Sequence, residues 1–182
     1  MEVNGLTEEE RDKMRDMFFK KIGIERKHLS KKELENEIID YLSKKQACSL
    51  ATCEKDGVPR VSVVDYMNDG LTIYIISEGG DKFKNIKKNN KVAIGIGTSA
   101  KTILSVRGIN IWGVADVFTD YTPEFAKGMD LFSPIIKNIE ETIGEPVKMP
   151  KGKMRLIRVT PTRMTYYHYN KGIAYAKWEA EG

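Results

Sequence analysis

Arg60, Ser77, Gly79, Gly80 and Lys82 are the residues whose types and spacing can do chemistry. In the stretch Leu71 to Val92, LTIYIISEGGDKFKNIKKNNKV, a strand pattern runs into a glycine-bearing turn. A short basic helix then begins near Asp81 and Lys82. Glycine has no Cβ, so the N–H groups around Gly79 and Gly80 can approach an anion closely. The helix adds unpaired N–H groups and the positive end of its dipole. Lys82 adds a point charge. Arg60, at the start of an earlier strand, can hold a phosphate through two parallel hydrogen bonds. The hydroxyl of Ser77 falls within the same reach. Together these residues describe a phosphate pocket. Read without that ligand, they are a strand-end arginine and an exposed helix lysine, both solvated.

Val61, Ser62, Val63, Ile75 and Ile76 lie between the two basic residues. A strand edge presents alternating N–H and C=O groups. Those groups match the donors and acceptors on the pyrimidine side of a flavin ring, and the apolar side chains would cover its face. Ordinary core explains Val63, Ile73 and Ile75 equally well. Trp112 shares a strand face with Gly108, Asn110 and Val114, and can stack on an aromatic cofactor or plug a barrel. Asn110 needs a partner if it is buried. His168, in the run Tyr166-Tyr167-His168-Tyr169, reads as a neutral packed histidine, with proton donation as the alternative. His28 reads as a surface loop residue.

Other chemistries find no motif. There is no G-x-x-x-x-G-K-[ST] phosphate loop, no G-x-G-x-x-G opening a helix, no nucleophile elbow and no H-E-x-x-H. Cys48 and Cys53 are five apart, a spacing that fits no zinc motif. On one extended strand they point to opposite faces, which argues against a disulfide and for two thiols in a reducing compartment. No side chain reads as an activated nucleophile, so any catalysis falls to a cofactor.

Several elements must position these residues. Thr7 with Glu10, and Ser30 with Glu33, form capping boxes that open two helices, one to about Ile22 and one carrying Leu34, Ile38, Tyr41 and Leu42. Strand periods follow over Ala47–Glu54, Arg60–Met67 and Leu71–Ile76, joined by Lys55-Asp56-Gly57-Val58-Pro59 and Asn68-Asp69-Gly70 turns. This predicts a three-strand antiparallel meander. It would place Arg60 and Lys82 at one end of adjacent strands.

Further on come a helix over Asp81–Asn89, a strand over Lys91–Gly97, and a long strand over Ile103–Phe118 bent at Gly108 and Gly113. Thr122-Pro123 opens a helix to about Ile143, broken or kinked at Pro134. After a loop over residues 144–152, strands over Met154–Thr160 and Arg163–Tyr169 meet near Pro161. About seven short strands with a few helices predict a mainly β fold, an antiparallel barrel with flanking helices.

The bulk properties agree. The chain has 182 residues, 41% hydrophobic and 31% charged, an ordinary soluble composition for one domain. Its net charge of +4 permits an anionic small molecule without demanding nucleic acid. The lysines are scattered rather than gathered in one stripe with aromatics, which argues against a nucleic-acid binder. No apolar run approaches the ~18 residues of a membrane span. The acidic, polar N-terminus does not read as a signal peptide, and the expected location is the cytoplasm.

The segment from Ala47 to about Val117 resembles the flavin-binding split-barrel family related to pyridoxamine 5′-phosphate oxidase. The matching pieces are CSLAT with a D-G-x-P-R turn, RVSVVDY, IYIISEGGDKFKNIKKNNKVAIGI and VRGINIWGVADV, and RLIRVTPTRMTYYHY resembles the closing strands. The most specific piece is Lys82, Asn85, Ile86, Asn89 and Val92. The resemblance spans most of 46–170, leaving 1–45 as a helical N-terminal extension and 171–182 as a C-terminal tail. It implies an FMN-binding antiparallel split β-barrel, a homodimer with two FMN molecules at its interface, and flavin-mediated hydride transfer with a small-molecule substrate or electron donor. Arg60, Lys82 and the neighbouring Asp81 would lie at the phosphate. Val61, Ser62, Val63, Ile75, Ile76 and Ser77 would contact the ring or ribityl chain. The stretch around Arg107, Gly108 and Asn110 would arrive from the second subunit, and Trp112 would lie at the cofactor. Trp178 lies where some members reach the flavin. The tail GIAYAKWEAEG ends without the arginine that the family's true oxidases use for pyridoxal phosphate, so the resemblance does not extend to that substrate. Related members without turnover, or with a deazaflavin or haem, supply the alternative reading.

Overall fold

A computed structural model describes residues 5–54, 56–147 and 152–181. Lys55 of the expected hairpin connection, residues 148–151 of the expected loop, and the ends of the extension and tail lie outside them. Two helices come first, α1 (Glu8–Lys21) and α2 (Lys31–Ser43), and both capping boxes form. The Thr7 hydroxyl accepts from the Glu10 N–H at 3.2 Å, and the Glu10 carboxylate accepts from the Thr7 N–H at 2.7 Å. The remaining elements are β1 (Ala47–Cys53), β2 (Pro59–Asp65), β3 (Met67–Asp69), β4 (Thr72–Ser77), α3 (Asp81–Lys88), β5 (Lys91–Gly97), β6 (Arg107–Thr119), α4 (Pro123–Ile143), β7 (Arg155–His168) and β8 (Ile173–Glu179).

All described pairings are antiparallel, in the order β2-β1-β5-β6-β7-β4-β3, with β8 added on β7. The sheet curls into a split β-barrel. Its interior holds Leu50, Ile73, Ile75, Ile94, Ile109, Ile111, Val159 and Met164. Helix α2 plugs one end with Ile38, Tyr41 and Leu42, all fully buried. Burying an aliphatic side chain of this size is worth about 1.5–3 kcal/mol, so α2 is part of the core. A second cluster lies outside the barrel, where Phe125 and Phe132 of α4 cover Tyr74 and Leu156.

Four expectations need correction. The third expected strand, β4, does not pair with β2; it pairs with β3 and β7. The reason lies at Tyr66. Its ring is fully buried, its N–H donates to Gln46 O at 2.7 Å, and its hydroxyl donates to Leu42 O at 2.8 Å. So anchored, the chain does not reverse after β2 but passes to the other edge of the sheet, where β3 and β4 form the hairpin.

The long strand begins only at Arg107, because a 3-10 turn over Ile103–Ser105 precedes it. The two closing strands are one strand, β7. Thr162 is the extra residue of a bulge opposite Trp112 and Gly113, and it places Pro161, which has no N–H to donate, where the ladder shifts. Finally, of the break or kink expected at Pro134, the break does not form, since α4 is one helix over Pro123–Ile143. The tail, expected only to be ordered, forms an eighth strand.

Candidate functional site

The split in the barrel is a seam between two backbone edges. Strand β2 is paired with β1 on one side only. Strand β4 is paired with β7 along Ile73–Ser77, but with β3 only along Thr72–Tyr74. The second edge of Ile75, Ile76 and Ser77 therefore has no strand partner, and β2 and β4 approach each other without pairing. Two lengths of unpaired peptide donors and acceptors thus border one gap. Ile75 points into the core and Ile76 toward the α4 cluster, so both offer the seam their backbone rather than their side chains. Ser62 is half-buried on the inward side of β2.

Helix α3 begins at one end of this seam. Its N-cap is Gly80, at φ 106°, a conformation that a side chain would strain. No side chain caps the helix, so its first N–H groups stay open. Arg60 reaches this point from the start of β2 and pairs with the Asp81 carboxylate at 2.5 Å. Lys84 holds the other Asp81 oxygen at 3.0 Å. Lys84 first, and Arg60 with it, keep the Asp81 carboxyl below the usual range.

Lys82 is 9% exposed, and its Nζ donates to Gly79 O at 2.6 Å. Burial lowers its pKa, and the Arg60 charge lowers it further. Two mutually repelling cations thus share a corner with open helix N–H groups and the Asp81 carboxylate. The Ser77 hydroxyl donates to Gly79 O at 3.4 Å and borders the same turn. Asn85, one helical turn on and buried, donates to Thr52 Oγ1 at 3.2 Å and ties α3 to β1. That positioning role was not legible in the sequence; only the three-residue spacing from Lys82 hinted that both side chains turn inward.

The other expected residues divide between two places. Val61 and Val63 project from the outer face of the sheet and are 64% and 77% exposed. Asn110 and Trp112 share this face, and a hollow of about 210 Å³ lies between Ser49, Ala51, Val61, Ala93, Asn110 and Trp112. The Arg163 guanidinium covers the Trp112 ring at 4.2 Å. Gly108 leaves no room for a side chain, since a Cβ would stand 2.9 Å from Ile96 O.

Arg107 faces the opposite way. Its Nε donates to the Tyr166 hydroxyl at 2.9 Å, its guanidinium lies 4.4 Å over the Tyr41 ring, and Asp40 stands at 3.5 Å. It fixes α2 on the barrel end. His168 lies nearby, half-buried, and burial first and then Arg107 lower its pKa, which favours the neutral ring. Trp178 donates to Glu35 at 2.8 Å and fastens β8 to α2.

The split barrel and its cationic seam define a class of small antiparallel-barrel proteins. Within it, this chain belongs to the pyridoxamine 5′-phosphate oxidase family, whose model matches residues 34–168. No curated protein matches the chain. Among solved structures, it is similar to a conserved hypothetical protein of Mycobacterium tuberculosis, with 19% identity over 79% of this chain and 88% of that one, at a TM-score of 0.60. It is similar to an FAD-binding protein of Mesorhizobium loti, with 18% identity over 71% and 90%, at 0.56. It is also similar to HutZ, the haem storage protein of Vibrio cholerae, with 18% identity over 70% and 89%, at 0.56. Identities this low establish a shared fold. No helix among the described residues is long and apolar enough to cross a membrane.

Proposed function

We propose that the protein is an FMN-dependent oxidoreductase that works as a homodimer in the cytoplasm, with a flavin at each of two equivalent seams. The observation that carries this reading is the seam itself, where two unpaired strand edges end at Arg60, Lys82 and the open amides after Gly80. These residues fit the cofactor by charge. Arg60 and Lys82 would hold the phosphate, with Arg60 exchanging the Asp81 carboxylate for it. The backbone of Val61 to Val63 and of Ile75 to Ser77 would hydrogen-bond the ring edge and orient its plane.

The dimer is supported by the outer face of β2, β1, β5 and β6. Val61, Val63 and the Trp112 hollow expose apolar surface there, and contiguous apolar surface of this kind marks interaction sites. A second copy of this chain would bring Asn110 and Trp112 to its partner's seam. When bound, FMN supplies the acceptor for a hydride from an external donor. The protein's own part is to bind, orient and shield from water.

A second reading, a flavin carrier without turnover, draws on one observation: among the described residues, the side chains at the seam are Arg60, Ser62, Ser77, Asp81 and Lys82, with no histidine, cysteine or tyrosine among them. Anaerobic mixing of the FMN-loaded protein with a panel of reduced donors separates the two. Bleaching of the flavin faster than that of free FMN supports the enzyme. A bound flavin that stays yellow with every donor supports the carrier.

A further inference from the structure

A second hollow lies beside the seam. It opens at the mouth of the barrel, on the far side of α3, with a volume of about 930 Å³. Phe83 and Ile86 of α3 line one side and Ala115 of β6 the other, each with only an edge exposed, and Val117 of β6 offers the open apolar surface. Lys84, Lys87 and Lys88 stand along the helix rim, and Arg155 rises from the start of β7 across from them.

Its charges do not cancel. The two acids in the lining are Asp81 and Asp116. Asp81 is held by Arg60 and Lys84, and Asp116 by Arg158 at 2.8 Å. Lys87, Lys88 and Arg155 have no acidic partner among the described residues. Arg155 instead lies 5.1 Å over the Phe83 ring, which aims a cation along the apolar wall. Cations opposed across an apolar slot suit a ligand with two features, a multiply charged phosphate and a flat apolar body. The volume lies within the usual span for such ligands, roughly 300–1,000 Å³, and exceeds what a bare ion needs.

We infer that this cleft is a binding site for a phosphorylated aromatic small molecule of nucleotide size, gripped by Arg155, Lys87 and Lys88 and laid against Phe83 and Val117. It adjoins the seam at Gly80 and Asp81, at the start of α3, but its gripping cations are other residues and do not rest on the flavin reading. The asparagines Asn89 and Asn90 at its rim offer amides for a polar edge of the same ligand. Each protomer would carry one.

ADP and inorganic pyrophosphate are the probes. Both are titrated by calorimetry into the full-length protein, with and without saturating FMN. The expected result is ADP binding that outlasts FMN saturation and exceeds pyrophosphate binding, because the ring adds to the phosphates. Lys87→Gln with Arg155→Gln should weaken ADP at least about tenfold, since each lost cation removes a charge-assisted contact. Both exposed positions tolerate glutamine, and Val117→Trp, which fills the slot without touching a charge, should block ADP as well. ADP that fails to bind, that FMN displaces, or that binds both cleft variants as it binds the wild type overturns the assignment.

Discussion

Lys82→Met is the substitution that separates the corner's electrostatics from its packing. Methionine keeps the length and apolar stem of lysine and removes one charge. In the free protein Lys82 is nearly buried, faces the Arg60 charge, and has the Gly79 carbonyl as its hydrogen-bond partner. Losing that bond costs stability, and losing a desolvated cation restores some. The melting temperature should therefore move by no more than about 4 °C, the shift worth roughly 1 kcal/mol at this chain length.

Binding should respond differently. A charge-assisted contact to a phosphate contributes about 1.5–3 kcal/mol, which is roughly a ten- to 150-fold rise in the Kd for FMN. Riboflavin, which lacks the phosphate, should bind both forms alike. The two forms should also differ in alkaline solution. The folded wild type gives up the Lys82 proton more readily than the unfolded chain does. Once pH climbs past the lowered folded value toward the ordinary lysine value of about 10.4, the unfolded state holds more protons and stability rises. Below that window the protonation difference vanishes. The methionine variant should lack the rise. Fluorescence titration and pH-dependent melting read both effects. An unchanged Kd for FMN in a folded variant would refute the placement of the phosphate.

Val63→Glu puts a charge on the exposed apolar face, and sedimentation should show a dimer of the wild type turning to monomer, with FMN affinity falling in parallel if the two chains share the site. A monomer that binds FMN as before would separate the two claims. Asn85→Leu leaves the buried Thr52 hydroxyl without its donor and should cost about 1–3 kcal/mol in chemical denaturation, loosening α3 and weakening FMN indirectly. The Cys48 thiol is pushed up to about 12, by burial first and by Asp65 next, so in the native protein it should resist alkylation at pH 8 while the half-buried Cys53 reacts first. Mass spectrometry of partly labelled protein reads the order.

Much of this was legible in the residues, because local rules govern it. Thr7 and Ser30 announce two helix starts through the acids three residues on, and both caps form. The β5 boundaries, Lys91 and Gly97, follow from alternation alone. The meander failed because turn chemistry reports that a chain reverses, not which strand it pairs with. The Tyr66 anchor on Gln46 and Leu42 decides that, and it is a long-range contact. Arg60 still meets the α3 terminus, by closure of the barrel rather than by adjacency in a hairpin.

The role of Arg107 escaped for the same reason: its partners Tyr41 and Asp40 lie on α2, far away in sequence. Pairing of Arg60 with Asp81 was equally invisible, since helix-start acids are common whether or not an arginine faces them. The mouth cleft between α3 and Arg155 had no motif at all. It exists only because the end of β6 and the start of β7 lie together beside the helix.

Equilibrium titration of the purified wild-type protein with FMN, read together with its mass in solution, meets the central claim head-on. A yellow complex with one FMN for each chain and two for each dimer is the predicted result. A protein that stays colourless after incubation with FMN, as monomer or dimer, would contradict it.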